Sequence, residues 1–209
     1  MYATSTSTKR TLRALRTHGW RLLQSPDRLK KTRARLPQEW DNGTPAPYAL
    51  DNGAWTAHQQ GTAFDEAAFV RAVELLGADA DWVVAPDIVG AGRESLAYSM
   101  EWMDWLRKRC KRVLVAVQDG MVPQDLAGIL SDRVGVAIGG STEWKELQLA
   151  KRVWQASTLH VLRVNTARRI RLCHFAGADS FDGSSVSRYV LTLPMLDRAR
   201  RQPSLWSKQ

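Results

Sequence analysis

The chain has 209 residues, of which 44% are hydrophobic, and this is enough to bury the core of one domain. It contains no apolar run long enough to cross a bilayer, and its first residues lack the apolar middle of a secretion signal, so we expect a soluble cytoplasmic protein without a membrane partner. The two cysteines, Cys110 and Cys173, are too few and too isolated for a disulfide framework or a Cys-x-x-Cys metal site.

The positive charge is concentrated near the amino terminus. Between Lys9 and Arg35 there are ten Lys or Arg and one acid, so this segment carries the whole net charge of +9. Such a segment favours a polyanionic partner because each phosphate contact releases counterions. A solvated extension and an acidic membrane surface are the alternatives to nucleic acid. The candidate nucleic-acid contacts are Arg10, Arg13, Arg16, Lys30, Lys31, Arg33 and Arg35.

Apolar runs typical of buried strands alternate with stretches of helical periodicity. The candidate strands are WRLLQ (20–24), YAL (48–50), WVVAP (82–86), VLVAV (113–117), VGVAI (134–138), LHVLRV (159–164) and SF (180–181). The candidate helices are FDEAAFVRAVELLG, RESLAYSMEWMDWLRKRC, PQDLAGILS, STEWKELQLAKRVWQ and TARRIRLCHFAG. This alternation predicts parallel strands, because a crossover helix returns the chain to start the next strand in the same direction.

Polar or glycine residues stand at or just after the carboxyl ends of six of these runs, and they favour a barrel over an open doubly wound sheet. In an open sheet only the strands beside the switch point need such residues, whereas all strands of a barrel end at one shared mouth. We therefore predict a small α/β fold, a (β/α)8 TIM-like barrel without a zinc subdomain, either complete or one strand short. The residues concerned are Asp51, Asp87, Gln118, Gly139 with Gly140, Asn165 and Asp182.

The predicted organisation has four parts. Residues 1–8, rich in Ser and Thr, are expected to form a disordered tail, and residues 9–47 a basic arm that contains the first strand. Residues 48–201 form the catalytic barrel, and residues 202–209 a C-terminal tail. The missing eighth strand is expected elsewhere in the arm or in QPSLW near the C-terminus.

The residues at the predicted mouth favour carboxylate chemistry. The sequence has no Gly-x-Gly-x-x-Gly or Walker loop and no ligand-like spacing among its histidines, so we expect neither a cofactor nor a metal. Two carboxylates beside one glycosidic carbon can cleave it with retention, and a further Asp, an amide and a Gly-Gly turn can hold a purine. The alternative for Asp51 and Asp182 is a turn role, because each lies close before a glycine. At this point base exchange and base hydrolysis both remain open.

Five motifs resemble the tRNA-guanine transglycosylase superfamily in order and approximate spacing, and among its members the DNA-directed, DpdA-like branch. They are ALDNGAW, VVAPDIVG, VAVQDG, VAIGGSTEWK and GADSFDGSSVSR, within residues 48–188. The resemblance implies a glycosyltransferase that exchanges guanine in DNA for a 7-deazaguanine base, preQ0 or a derivative, in a bacterial cell or a phage-infected host. It also implies DNA as the macromolecular partner, with a homodimer or accessory modification proteins as further partners.

The same resemblance assigns roles to individual residues. It implies that Asp182 is the nucleophile at C1′ of the target nucleoside and that Asp51 is the general acid and base. The implied substrate-binding residues are Asp87 on the guanine amidine edge, Gln118 in its support, and the backbone of Gly139 and Gly140 on the base carbonyl. Trp55, as a stacking platform for a flipped base, and Asn165 are further substrate-binding candidates.

The carboxyl-terminal sequence departs from the tRNA-directed members of that superfamily. Those members carry a Cys/His zinc subdomain after the nucleophile strand, whereas residues 189–209 contain neither Cys nor His. This difference weakens the tRNA interpretation. A tRNA-guanine transglycosylase, a base-releasing glycosidase and a non-catalytic nucleic-acid-binding barrel remain the alternatives.

Overall fold

The computed structural model describes residues 1–28 and 38–202 and contains a closed barrel of eight parallel strands in chain order. The barrel closes at Tyr2, which pairs with Arg21 on one side and with Asp182 on the other. The predicted (β/α)8 TIM-like barrel is therefore confirmed, and the ring is complete. The strands are β1 (Tyr2–Thr4), β2 (Arg21–Gln24), β3 (Tyr48–Leu50), β4 (Val83–Val84), β5 (Val113–Val117), β6 (Val134–Ile138), β7 (Leu159–Val161) and β8 (Ser180–Gly183).

Helices pack around the outside of the barrel. They are α1 (Lys9–Thr17), α2 (Ala54–Gln60), α3 (Glu66–Leu76), α4 (Arg93–Arg107), α5 (Thr142–Lys151), α6 (Ala167–Ala176), α7 (Ser185–Arg188) and α8 (Leu193–Arg201). Short 3-10 helices cover Pro26–Arg28, Pro123–Leu126 and Val190–Thr192. The stretch PQDLAGILS, predicted as a helix, forms only the second of these, because Ala127 leaves helical geometry with a ψ of 128° and Gly128 follows with a φ of 75°.

The strand residues divide into two apolar layers because successive side chains of a strand point to opposite faces. The outer layer packs between the strands and the helices, with fully buried residues such as Leu22, Leu50 and Ile138. The inner layer fills the barrel below the mouth. Its buried members are Tyr2, Leu23, Ala49, Trp82, Val84, Leu114, Ala116 and Ala137.

The eighth strand is β1, at the start of the chain. The prediction of a disordered tail over residues 1–8 is therefore wrong, since Tyr2 is 5% exposed and Ala3 is fully buried. A strand of three residues is too short to show periodicity, and the Ser/Thr-rich residues after it conceal it. As a consequence, the run WRLLQ (20–24), predicted as the first strand, contains the second strand, Arg21–Gln24.

The described part of the basic segment, residues 9–28, belongs to the barrel rather than to a separate arm. Leu12 and Leu15 on α1 are buried in the outer layer, and the guanidinium groups of Arg13 and Arg16 each lie 2.9 Å from a carboxylate oxygen of Asp41. These two arginines therefore hold α1 on the chain that leads into β3. Arg10 is exposed on the same helix.

The remaining basic candidates, Lys30, Lys31, Arg33 and Arg35, lie outside the described residues, as do residues 203–209 of the predicted C-terminal tail. None of the described helices combines the length and the apolar character that a membrane span requires.

Candidate active site

The carboxyl ends of the strands surround one mouth, where three predicted carboxylates meet. Asp51 follows β3, Asp87 lies beyond β4, and Asp182 is on β8. Burial raises the pKa of Asp51 to about 7, and the negative charges of Asp182 and Asp87 act in the same direction. The three side chains therefore share one electrostatic environment, although Asp51 and Asp182 are far apart in the sequence.

The Asp51 carboxyl takes part in the turn after β3, because the backbone N–H groups of Asn52 and Gly53 donate to it and oppose the rise of its pKa. Asn52 Oδ1 accepts a hydrogen bond from the backbone N–H of Ala54 at 2.9 Å, and Gly53 takes a φ of 85° before α2 begins. That backbone conformation is one that glycine adopts without steric cost. Asn52 and Gly53 thus shape the turn and also hold the Asp51 carboxyl within the electrostatic influence of Asp182 and Asp87.

Asp182 is 6% exposed, and one of its oxygens is held by two contacts. Oδ1 accepts a hydrogen bond from the backbone N–H of Arg163 at 3.0 Å and lies 3.2 Å from His160 Nε2. The glycine that follows serves close packing, since a Cβ on Gly183 would lie 2.4 Å from the carbonyl oxygen of Val164. A turn is therefore not the reason for the Asp-Gly pair at this position.

Asp87 is fixed by two amides. Asn52 Nδ2 donates to Oδ1 and Gln118 Nε2 donates to Oδ2, each at 2.7 Å. Gln118 is itself held, because its Oε1 accepts from the backbone N–H of Gly90 at 2.5 Å and its Nε2 also lies 3.0 Å from Ser95 Oγ. Burial raises the pKa of Asp87, while the Asn52 hydrogen bond and the charge of Arg163 oppose this shift. The carboxyl group consequently has a defined plane and a defined direction.

The Gly-Gly turn after β6 offers less backbone to a ligand than the sequence suggests. The N–H of Gly139 donates to the carbonyl oxygen of Val117 at 2.8 Å, and the carbonyl oxygen of Gly140 accepts from Arg163 Nη2 at 2.5 Å. Within residues 1–28 and 38–202, no hydrogen bond uses the N–H of Gly140. Of the two glycines, Gly140 is thus the one whose N–H is not already bonded to a described residue.

Trp55, in the first turn of α2, is near the mouth, but one face of its ring is covered. The guanidinium carbon of Arg163 lies 3.8 Å from the ring centroid, a cation–π contact. Arg163 also has a φ of 59°, which is uncommon for a residue with a side chain and is typical of strained positions at functional sites. A base can stack on that face of Trp55 only after Arg163 moves.

Asn165, predicted to bind substrate, contacts the chain that follows β8. Its Oδ1 accepts from the backbone N–H of Ser185 at 3.0 Å, at the start of α7. Its side chain therefore supports the β8–α7 connection.

Sequence reasoning missed three residues around Asp182: His160, Arg163 and Lys145. His160 is an inward-facing residue of β7, next to β8, and this alternation is the signal that could have found it. Lys145 is 3% exposed on α5, where burial lowers the pKa of its ammonium group to about 8 and Nζ donates to the carbonyl oxygen of Leu162 at 2.6 Å. No spacing in the sequence marks Lys145, because the contact depends on where α5 lies relative to Leu162, which follows β7.

Within the described ranges, no three His, Cys, Asp or Glu side chains are grouped so that they could hold a metal ion. Comparison with protein-family models gives no match for this chain, and comparison with curated proteins gives no significant one. The chemistry of the mouth is therefore the basis on which a function can be argued.

Proposed function

We propose that this protein is a DNA guanine transglycosylase, which exchanges guanine in DNA for a 7-deazaguanine base such as preQ0 through a covalent aspartyl–deoxyribose intermediate. The observation that carries the proposal is the pair of carboxyl groups in different environments at one mouth. Asp51 has a pKa near neutrality, whereas Asp182 has one oxygen held by N–H groups. In retaining glycosyl transfer, one carboxyl group of such a pair acts as the general acid and base, and the other acts as the nucleophile.

In the first half-reaction, Asp182 attacks C1′ of a deoxyguanosine that has left the base stack. The C1′–N9 bond breaks as the Asp182 oxygen bonds to C1′, and its electron pair goes to guanine. Asp51, protonated at the start, gives its proton to the departing base, so neutral guanine leaves and Asp51 becomes a carboxylate. Leaving the stack costs a few kcal/mol, which phosphate contacts can offset.

In the second half-reaction, the 7-deazaguanine base enters the same site. Asp51 removes the proton from its N9, and N9 attacks C1′ as the bond to the Asp182 oxygen breaks. Asp51 is protonated again and Asp182 is a carboxylate again, so the cycle consumes neither water nor ATP. The DNA backbone is never cut, because only the bond between sugar and base changes.

Asp87 recognises the base in this proposal. Guanine and 7-deazaguanines present N1–H and the 2-amino group as adjacent donors, which match the two oxygens of one carboxylate. The amides of Asn52 and Gln118 hold Asp87 at 2.7 Å each, so its plane is set before the base arrives. The Gly140 N–H is a donor for the base carbonyl. A preorganised group of this kind discriminates bases by leaving a buried polar atom unpaired when the wrong base binds.

The choice of DNA over tRNA is supported by the resemblance of the five motifs to the DNA-directed branch and by the lack of Cys and His in residues 189–209. The test is to incubate the protein with unmodified DNA and preQ0, and separately with tRNA, and to analyse the nucleosides by mass spectrometry. Incorporation of the deazaguanine into DNA supports the proposal. Incorporation into tRNA, or release of guanine without incorporation, supports one of the alternative enzymes instead.

A matched pair of variants tests the nucleophile. Asp182→Asn removes the attacking carboxylate with little change in shape, and we expect it to abolish both exchange and the protein–DNA adduct on a denaturing gel. Asp104→Asn makes the same chemical change at an exposed position of α4 and should leave both unchanged. Full exchange by Asp182→Asn would remove the assigned nucleophile. Salt-sensitive DNA binding without any turnover by the unaltered protein would favour the non-catalytic barrel.

A further inference from the structure

His160 has a buried imidazole side chain to which the proposed reaction steps assign no role. It is fully buried inside the barrel, with its ring centroid 4.4 Å from that of Trp82 and 5.7 Å from that of Tyr2. Its two nitrogens face two residues of the neighbouring strand β8. Nε2 lies 3.2 Å from Asp182 Oδ1, and Nδ1 lies 2.8 Å from Ser180 Oγ.

These contacts define which nitrogen of His160 carries the proton. Burial lowers the pKa of His160, which favours the neutral ring, although Asp182 opposes this shift. A neutral imidazole has one N–H donor and one acceptor, and a carboxylate can only accept. Both contacts are hydrogen bonds if Nε2–H of His160 donates to Asp182 and the hydroxyl of Ser180 donates to Nδ1 of His160.

The two oxygens of Asp182 are consequently different. Oδ1 accepts from Nε2–H of His160 and from the backbone N–H of Arg163. Among the described residues, no hydrogen bond involves Oδ2. The oxygen without donors has its lone pairs available for attack on carbon.

We propose that His160 is a positioning residue for Asp182, with Ser180 fixing its tautomer, so that Oδ2 is the oxygen that bonds to C1′ and Oδ1 is the oxygen on which charge is stabilised. This inference rests on the proposed function. It goes further because it assigns a role to each oxygen of the nucleophile and to a residue outside the predicted site.

The role has different consequences in the two half-reactions. A donor on Oδ1 stabilises the free carboxylate more than the covalent ester, because the ester carries no negative charge. In the first half-reaction that charge is lost, so removing the donor has little effect beyond poorer alignment. In the second half-reaction the charge develops on the leaving carboxylate, so removing the donor slows the step. Loss of His160 should therefore make the covalent adduct accumulate.

The test follows the adduct through both half-reactions. The protein is mixed with guanine-containing single-stranded DNA, and the adduct is measured on denaturing gels before and after a chase with preQ0. In His160→Phe, which keeps a ring in contact with Trp82, we expect the chase to slow by roughly 10- to 100-fold, the usual effect of losing a hydrogen bond to a charged group. Adduct formation should slow much less, and the steady-state fraction of adduct should rise.

Two more variants separate positioning from packing. His160→Gln retains an N–H donor and should restore part of the chase rate. Ser180→Ala leaves the His160 ring in place but removes the hydrogen bond that fixes which ring nitrogen carries the proton. It should therefore also slow the chase, by a smaller factor than His160→Phe. If circular dichroism shows that His160→Phe does not fold, Ser180→Ala takes its place in the test. Equal slowing of both half-reactions in a folded variant, or no slowing of the chase, would overturn the role of His160. Absence of any adduct and any exchange in the unaltered protein would instead overturn the proposed function, and the role of His160 with it.

Discussion

Asp182 on β8 raises the pKa of Asp51, which follows β3, three strands away around the barrel. Burial is the larger cause of the shift, and together the causes bring the pKa of Asp51 to about 7. A carboxyl group near that value can donate a proton and later accept one at neutral pH.

The pH dependence of adduct formation should report the protonation of Asp51. In the proposed reaction Asp51 is protonated when guanine leaves, and because its pKa is about 7, the rate should fall about tenfold for each pH unit above that value. Single-turnover formation of the adduct between pH 6 and pH 9 measures this. In Asp51→Asn the rate should be lower by at least about 100-fold and should lose the break near pH 7. A break that persists in Asp51→Asn would assign the titration to another group.

The raised pKa of Asp51 also predicts that this residue destabilises the fold by an amount that grows as the pH rises to about 7. Between its ordinary value of 3.8 and about 7, the folded protein holds a proton that the unfolded chain has released, so stability falls as the pH rises through this window. Each pH unit of the window costs up to about 1.4 kcal/mol. Asp51→Asn should therefore have a higher free energy of unfolding than the unaltered protein at pH 8, and the gain should disappear near pH 4.

Urea unfolding at several pH values checks this prediction, with Asp104→Asn as the control for loss of one carboxylate. The control residue is exposed and should give no gain at pH 8. A gain for Asp51→Asn that is the same at pH 4 and pH 8 would show that its origin is not the titration of Asp51.

Asp87 should set the choice of base. Hypoxanthine lacks the 2-amino group of guanine, so it can satisfy only one of the two oxygens of Asp87. Losing one of two matched hydrogen bonds between the base and the carboxylate reduces the discrimination between the two bases by about 1–3 kcal/mol, which is roughly a 5- to 150-fold change in their kcat/KM ratio. Asp87→Asn should narrow the ratio of kcat/KM for guanine over hypoxanthine by a factor in this range. An unchanged ratio would remove Asp87 from base recognition.

The basic residues outside the described structure should determine the salt dependence of DNA binding. Replacing Lys30, Lys31, Arg33 and Arg35 by Gln removes four positive charges, and the slope of log affinity against log salt should become less steep by up to about 3 to 4. Arg13→Gln with Arg16→Gln is the matched control. Those arginines pair with Asp41, so we expect a lower free energy of unfolding and an unchanged slope. Equal slopes for all proteins would argue against phosphate contacts by the four residues.

The barrel and the carboxylates of its mouth could be predicted from the sequence because the signals are local. Strand and helix patterns repeat along the chain, Asp51 follows the apolar run YAL, and Asp182 follows the candidate strand SF. Once the strands are parallel, the carboxyl ends of all of them meet at one mouth, so residues distant in the sequence become neighbours without any further information.

Other features depend on contacts between residues far apart in the chain, and only the tertiary structure decided them. β1 is three residues long and is a strand because β2 and β8 supply its hydrogen-bonding partners. The contact between His160 and Asp182 depends on the register of β7 and β8, and the contact of Arg163 with Trp55 depends on how two loops meet. The pKa of Asp51 likewise comes from burial and neighbouring charge, which exist only when the barrel has closed. The sequence by itself determined which chemical groups are present at the mouth. Packing decided that hydrogen bonds fix the carboxyls of Asp87 and Asp182, that Arg163 covers one face of the Trp55 ring, and that Asp51 has a raised pKa.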